Sequence, residues 1–177
     1  MTSSLPLRDL GRTGFLVPPL CAGTAGLGNM PETFAFSVSE ETALATIRAI
    51  FDSPMTFVDT AASYGNGESE RRIGIVLSER GGLPAHGVLA TKADRDLQTG
   101  EFSGAQMRRS VERSLDLLGL ERLQLVYLHD PEHLTFEAAM ASGGPVEALQ
   151  RLRDEGLIEH LGVGGGPIEM MTRYVET

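Results

Sequence analysis

Four residues of this chain have the types and the spacing of a proton relay: Asp59, Tyr64, Lys92 and His129. Of the 15 basic residues, Lys92 alone is a lysine and the rest are arginines. Solvated positive charge interchanges easily between the two types. A compact ammonium has a distinct use where it must sit partly buried and bias a neighbouring proton. Lys92 closes the run Val88-Leu-Ala-Thr-Lys92, which reads as a buried strand, and a buried ammonium needs a carboxylate partner. Asp59 ends the preceding strand and supplies one. Tyr64 follows five residues later, in the loop Ala61-Ala-Ser-Tyr-Gly-Asn-Gly67. A phenol beside an ammonium releases its proton more readily and can exchange it with a carbonyl or alcohol oxygen. His129, at the end of the next strand, can hydrogen-bond that same oxygen. Such a set suits carbonyl–alcohol interconversion, for which the protein must borrow a hydride carrier.

The chemistry requires the strand ends to converge. Runs of apolar and β-branched residues mark strands at Thr56–Thr60, Gly87–Lys92, Leu123–His129 and Leu157–Val163, with a weaker one at Pro19–Thr24. Helical patterns separate them at Glu40–Phe51, Glu68–Arg80, Ser103–Leu118 and Pro145–Glu155. The third is the clearest, with Met107, Val111, Leu115 and Leu118 on one face, Ser103 as N-cap and Gly119 beyond its end. Alternating strands and helices mean parallel pairing through right-handed crossovers. The open doubly wound sheet and the (β/α)₈ barrel share that pattern. Gly23-Thr-Ala-Gly-Leu-Gly28 is not the dinucleotide fingerprint of the open sheet, and no P-loop is present. Polar residues at three successive strand ends are the barrel's signature instead. Leu5 to Val17, turning at Gly11-Arg-Thr-Gly14, reads as a short hairpin plugging the bottom of the barrel.

A net charge of −9 with no basic run argues against nucleic-acid and anionic-membrane surfaces. No apolar stretch is long enough to span a bilayer, and Met1 to Arg12 lack the pattern of a signal peptide. The single cysteine, Cys21, forms no disulfide framework and fits a reducing cytoplasm; it reads as a small buried apolar residue. His86 reads as a solvated loop residue and His133 as a loop histidine. His129-Asp-Pro-Glu-His133 lacks a fourth ligand, so no metal is expected. Met170 and Met171 are expected to pack a last helix.

These stretches resemble the aldo-keto reductase superfamily along essentially the whole chain. The matching motifs are Leu10-Gly-Arg-Thr-Gly14, Phe57-Val-Asp-Thr-Ala-Ala-Ser-Tyr-Gly65 with Gly67-Glu-Ser-Glu70, and Ala90-Thr-Lys92. Ser114-Leu-Asp-Leu-Leu-Gly-Leu-Glu-Arg122, Val126-Tyr-Leu-His129-Asp130 and Gly156-Leu-Ile-Glu-His-Leu-Gly-Val163 follow in order. The resemblance implies a (β/α)₈ barrel of which this chain is the N-terminal part, about five strands in one incomplete domain spanning 1–177. It implies NADP or NAD as cofactor and a tetrad of Asp59, Tyr64, Lys92 and His129, with Tyr64 as the acid/base. Gly23, Thr24, Asp59, Gly164 and Gly165 are the implied cofactor contacts. The substrates implied are small aldehydes, ketones or aldoses. The His129-Asp-Pro-Glu-His wording and the glycine run look closest to the branch that oxidises aldoses such as fucose, or pyridoxal.

Two departures stand out. Gly164-Gly-Gly-Pro167 occupies the place where the family carries a polar pair, such as Ser-Asn, that holds the nicotinamide carboxamide. A full barrel takes roughly 250 residues, and the sequence ends at Thr177. Five strands leave two bare edges. The expectation is therefore a truncated reductase, a chain closed by self-association or by a complementary C-terminal piece, or a non-catalytic half-barrel serving as a binding module.

Overall fold

The computed structural model describes residues 5–177; the first four residues of the leader reading lie outside it. A two-stranded antiparallel hairpin, β1 (Arg8–Asp9) and β2 (Leu16–Val17), opens the fold. Then come β3 (Ala22–Gly23), a 3₁₀ turn at Ala25–Gly28, α1 (Pro31–Phe34), α2 (Glu40–Phe51) and β4 (Phe57–Asp59). They are followed by α3 (Glu68–Arg80), β5 (Val88–Ala93), α4 (Gly104–Leu118) and β6 (Leu123–His129). A 3₁₀ turn at Pro131–His133, α5 (Phe136–Met140), α6 (Pro145–Asp154), β7 (Ile158–Gly164) and α7 (Ile168–Val175) complete the order.

The five strands β3-β4-β5-β6-β7 pair in sequence order, all parallel, as consecutive strand–helix units dictate. This is the α/β half-barrel expected. Every expected strand and helix is present within a few residues. The Ser103 hydroxyl caps α4 by accepting the Gln106 N–H, and Gly119 ends it with φ 67°. Ser39 caps α2 in the same way. Phe15 of the hairpin meets His160 of β7 edge-on at 5.0 Å, which seats the hairpin against the foot of the sheet.

Side chains alternate across each strand, so one face of the sheet meets the helices and the other looks inward. Val58, Leu89, Val126 and Leu128 join Ile47, Ile73, Val76, Met107, Val111, Leu149 and Leu152 in one apolar core between sheet and helices. The opposite parity carries Asp59, Lys92, Tyr127 and His129, all only half-buried. Five strands curve but do not enclose that inner face. Cys21 corrects the expectation of a buried residue for this reason. One residue before the strand pair Ala22↔Val58, it takes the inward parity on an edge strand and is exposed.

Two constraints place the loop after β4. Arg72, nearly buried, donates to the Leu27 carbonyl at 2.6 Å and to Glu68 at 2.9 Å, tying the 3₁₀ turn to α3. That turn then touches the loop backbone to backbone. A Cβ on Gly65 would lie 1.9 Å from the Gly28 carbonyl oxygen, and one on Gly28 would lie 2.7 Å from the Tyr64 carbonyl carbon. Gly65 also has φ +61°. Neither position has room for a side chain, and the contact sets where Tyr64 begins.

Glu70 of α3 is fully buried between β5 and α4. One oxygen accepts the Thr91 hydroxyl at 2.6 Å, and the other finds no partner among the described residues. Burial raises its pKa from the ordinary 4.5, against the opposing pull of the Thr91 and Ser114 hydroxyls. The native state therefore holds this proton to higher pH than the unfolded chain does. The stability tied to it is complete below 4.5 and is lost as pH climbs through the raised value.

Two outcomes follow. Between about pH 4 and about pH 8 the melting temperature of the wild type should fall relative to that of Glu70→Gln as pH rises; a constant difference would contradict the assignment. Gly65→Ala combines a strained φ with a backbone collision and should cost about 2 kcal/mol or more, seen as a melting point lower by several degrees. A melt indistinguishable from wild type would show that the Gly28–Gly65 contact is not constraining.

Candidate active site

Register converts sequence spacing into proximity. Asp59 pairs with Ala90, and Lys92 lies two residues further along β5 on the same inward side. The Lys92 ammonium reaches back to Asp59, with Nζ 2.5 Å from Oδ1, and donates to the Thr60 carbonyl at 2.9 Å. Its third partner is the Tyr64 hydroxyl at 3.0 Å. Three donors thus meet three oxygens. Burial by itself would lower the pKa of Lys92; the Asp59 carboxylate and then Tyr64 outweigh it and raise it, so the group is cationic. Nζ also stands 4.6 Å from the centre of the Tyr64 ring, which constrains the phenol's approach.

His129 enters from β6 with its ring edge-on to Tyr64, centroids 6.2 Å apart. The four residues expected to form a relay are therefore brought together. Tyr127 lies under them on β6, paired in register with Lys92 and Gly162. A Cβ at Gly162 would lie 2.6 Å from the Tyr127 ring, so that glycine is what lets the ring lie across β7.

A fifth residue joins them that the sequence reading left without a role. Asp94 follows Lys92 by two positions and keeps its inward parity. Its Oδ1 lies 2.7 Å from His129 Nδ1, and its Oδ2 accepts the Ser63 N–H at 2.9 Å. Its backbone is held as well, with N–H on the Ser110 hydroxyl and the carbonyl on Gln106 Nε2. The spacing Lys-x-Asp at a strand end was the available signal.

The expected cofactor contacts divide. Gly23 pairs with Asp59 across β3 and β4, and a Cβ there would meet nothing within 4 Å, so open space adjoins the carboxylate. Gly164 ends β7 opposite His129, with only the Tyr127 ring near 4 Å from its Cβ position. Both sit beside residues of the relay, and neither Cβ position meets backbone. Thr24 is different, being fully buried with its hydroxyl on the Asp59 carbonyl at 2.9 Å and on Ser69. Gly165 and its neighbour Gly166 crowd the loop after β6, and the Gly166 N–H donates to Glu132 at 3.0 Å. Among the described residues no cluster of three or more His, Cys, Asp or Glu could hold a metal ion, and no helix is long and apolar enough to cross a membrane.

Comparison with known proteins matches this arrangement to a family. The model of the Aldo/keto reductase family matches residues 19–176. A D-threo-aldose 1-dehydrogenase from Pseudomonas sp. is 31% identical over 186 residues, covering 92% of this chain and 54% of its own. An L-galactose dehydrogenase from Arabidopsis thaliana is 31% identical over 174 residues, covering 98% and 53%. The chain spans about half the length of the curated relatives it matches. Among solved structures, the aldo-keto reductase from Klebsiella pneumoniae in complex with NADPH superimposes with a TM-score of 0.70 at 25% identity, covering 100% of this chain and 54% of that one. With its family model matched over nearly its whole length and the fold superimposed on a solved member, the chain belongs to the aldo/keto reductase family.

Proposed function

We propose that these residues form the acid–base half of an NAD(P)-dependent oxidoreductase site that interconverts a carbonyl and an alcohol. One observation carries the reading: the Lys92 ammonium touches Asp59 and the Tyr64 hydroxyl at once, with His129 beside the same phenol. When bound, the nicotinamide supplies hydride to the substrate carbon or takes it away. The chain's own residues handle the proton. In reduction the Tyr64 hydroxyl gives its proton to the substrate oxygen as negative charge grows there, and in oxidation Tyr64 takes it back. Lys92, neutralised on its far side by Asp59, donates a hydrogen bond to the phenol oxygen and holds it in place. His129 orients the substrate oxygen.

The open space at Gly23 and Gly164 supports these two glycines and Asp59 as cofactor contacts, whereas Gly165, crowded by Glu132, Asp130 and Pro131, rests on the resemblance alone. Thr24 would contribute by holding the end of β3 against β4 through its hydroxyl. NADP or NAD is the expected cofactor. The names of the relatives, aldose, galactose and pyridoxal dehydrogenases, support a small aldehyde, ketone or aldose as substrate. The lone, unpaired Cys21 supports a cytoplasmic setting. Half-buried β7 and the bare side of β3 support closure by a C-terminal piece or a second copy.

Titration with NADPH and with NADH, followed by nicotinamide fluorescence, should give saturable binding. Tyr64→Phe should keep that binding while turnover falls by roughly 10²–10⁴-fold. Unchanged turnover in Tyr64→Phe would overturn the proton role. No binding up to millimolar cofactor would favour the second reading, a half-barrel binding module without catalysis.

A further inference from the structure

We propose that Asp94 is the positioning residue of His129 and that it fixes the tautomer of the ring. In its neutral form the ring would carry its proton on Nδ1, leaving Nε2 as a hydrogen-bond acceptor. This rests on the acid–base reading above and deepens it: a neutral His129 so held has no Nε2 proton to give the substrate oxygen, and the one proton exchanged there is left to Tyr64.

A neutral imidazole has one donor and one acceptor nitrogen, and the partner of one nitrogen decides the role of the other. Three groups compete for the ring of His129. Asp94 Oδ1, an acceptor, lies 2.7 Å from Nδ1, within hydrogen-bond range. Ser63 Oγ lies 3.4 Å from the same nitrogen, a poorer contact, and its hydroxyl adapts to either role. Asp130 Oδ1 faces Nε2 at 3.6 Å, beyond hydrogen-bond range. The other charged or titratable groups nearby are Tyr64, edge-on to the ring, and Lys92 behind it. The shortest contact therefore goes to an acceptor at Nδ1, and an acceptor there demands an Nδ1 proton.

Asp94 is itself prevented from turning away. Its Oδ2 accepts the Ser63 N–H at 2.9 Å, its backbone is anchored at both polar ends, and its side chain is 9% exposed. Ser63 directly precedes Tyr64, so one carboxylate braces the histidine and the loop bearing the acid/base. The consequence for the site is directional: a carbonyl oxygen, which only accepts hydrogen bonds, finds a lone pair rather than a donor at Nε2 of the neutral ring.

The same geometry forecasts the substituted state. In Asp94→Asn the Ser63 N–H still needs an acceptor, so the amide oxygen must take the Oδ2 place. The amide NH₂ then faces Nδ1, and the neutral ring must move its proton to Nε2.

The test is nitrogen-15 NMR of the imidazole nitrogens in the labelled chain above the titration of its histidines, with His129 identified by the peaks missing from His129→Gln. It requires neither cofactor nor turnover, so its result stands apart from the fate of the catalytic reading. The wild type should show His129 in the Nδ1–H form, and Asp94→Asn should convert it to Nε2–H, while His86, His133 and His160 keep their patterns. An Nε2–H wild type overturns the proposal, as does a tautomer that Asp94→Asn leaves unaltered. Should that variant fail to fold, Asp94→Ala and the wild-type spectrum decide by the same criterion.

Discussion

The contact between Lys92 and Asp59 governs the rest of this molecule. An ammonium taken largely out of water is tolerable only with a carboxylate against it and its remaining donors satisfied. The fold meets that demand between two neighbouring strands. β4 and β5 run parallel with Asp59 opposite Ala90, so an inward residue two positions on can reach back along the strand. The Thr60 carbonyl takes a second donor and Tyr64 the third. The phenol is thus fixed by the same requirement that makes the lysine bearable. Displacing any of these groups strands a charge, which is why chemistry and architecture cannot be separated here.

The two faces of the sheet divide the labour. The outward parity is apolar and packs on four helices, supplying the burial that holds the strands in register. The inward parity carries the polar set and gains little from burial. Precision on that side comes from backbone approaches instead: Gly28 against Gly65 under the Tyr64 loop, and Gly162 beneath the Tyr127 ring. Asp94 adds the polar counterpart, joining the ends of β5 and β6 to the loop after β4 through one carboxylate.

Much of this was legible in the sequence because strand parity and helix period are local properties. The four long strand–helix units and the caps at Ser103 and Gly119 announced themselves, and the lone lysine pointed to its carboxylate. Helix α5 and the 3₁₀ turn after β6 escaped, because elements of five residues or fewer carry no readable period. The burial of Cys21 was misjudged because strand composition does not say whether the inward face is closed. The role of Asp94 was missed for another reason. Its neighbours in sequence give it nothing to bond, and only the register of β5 with β6 brings His129 within reach.

The relay is a local device on an open surface, and that has an electrostatic consequence. Every contact in it comes from β4, β5, β6 and the loops that leave them, so none depends on a further strand. Yet Asp59 keeps 25% of its side-chain surface exposed, and Lys92 keeps 11%. Water at that face raises the local dielectric and weakens each charge–charge and charge–dipole term. Covering the inner face would strengthen the pull of Lys92 on the Tyr64 oxygen and that of Asp94 on His129 without moving an atom of either. Closure therefore tunes a constellation that β4, β5 and β6 already assemble, and the positions of the groups and the strength of their interactions are set by different parts of the fold.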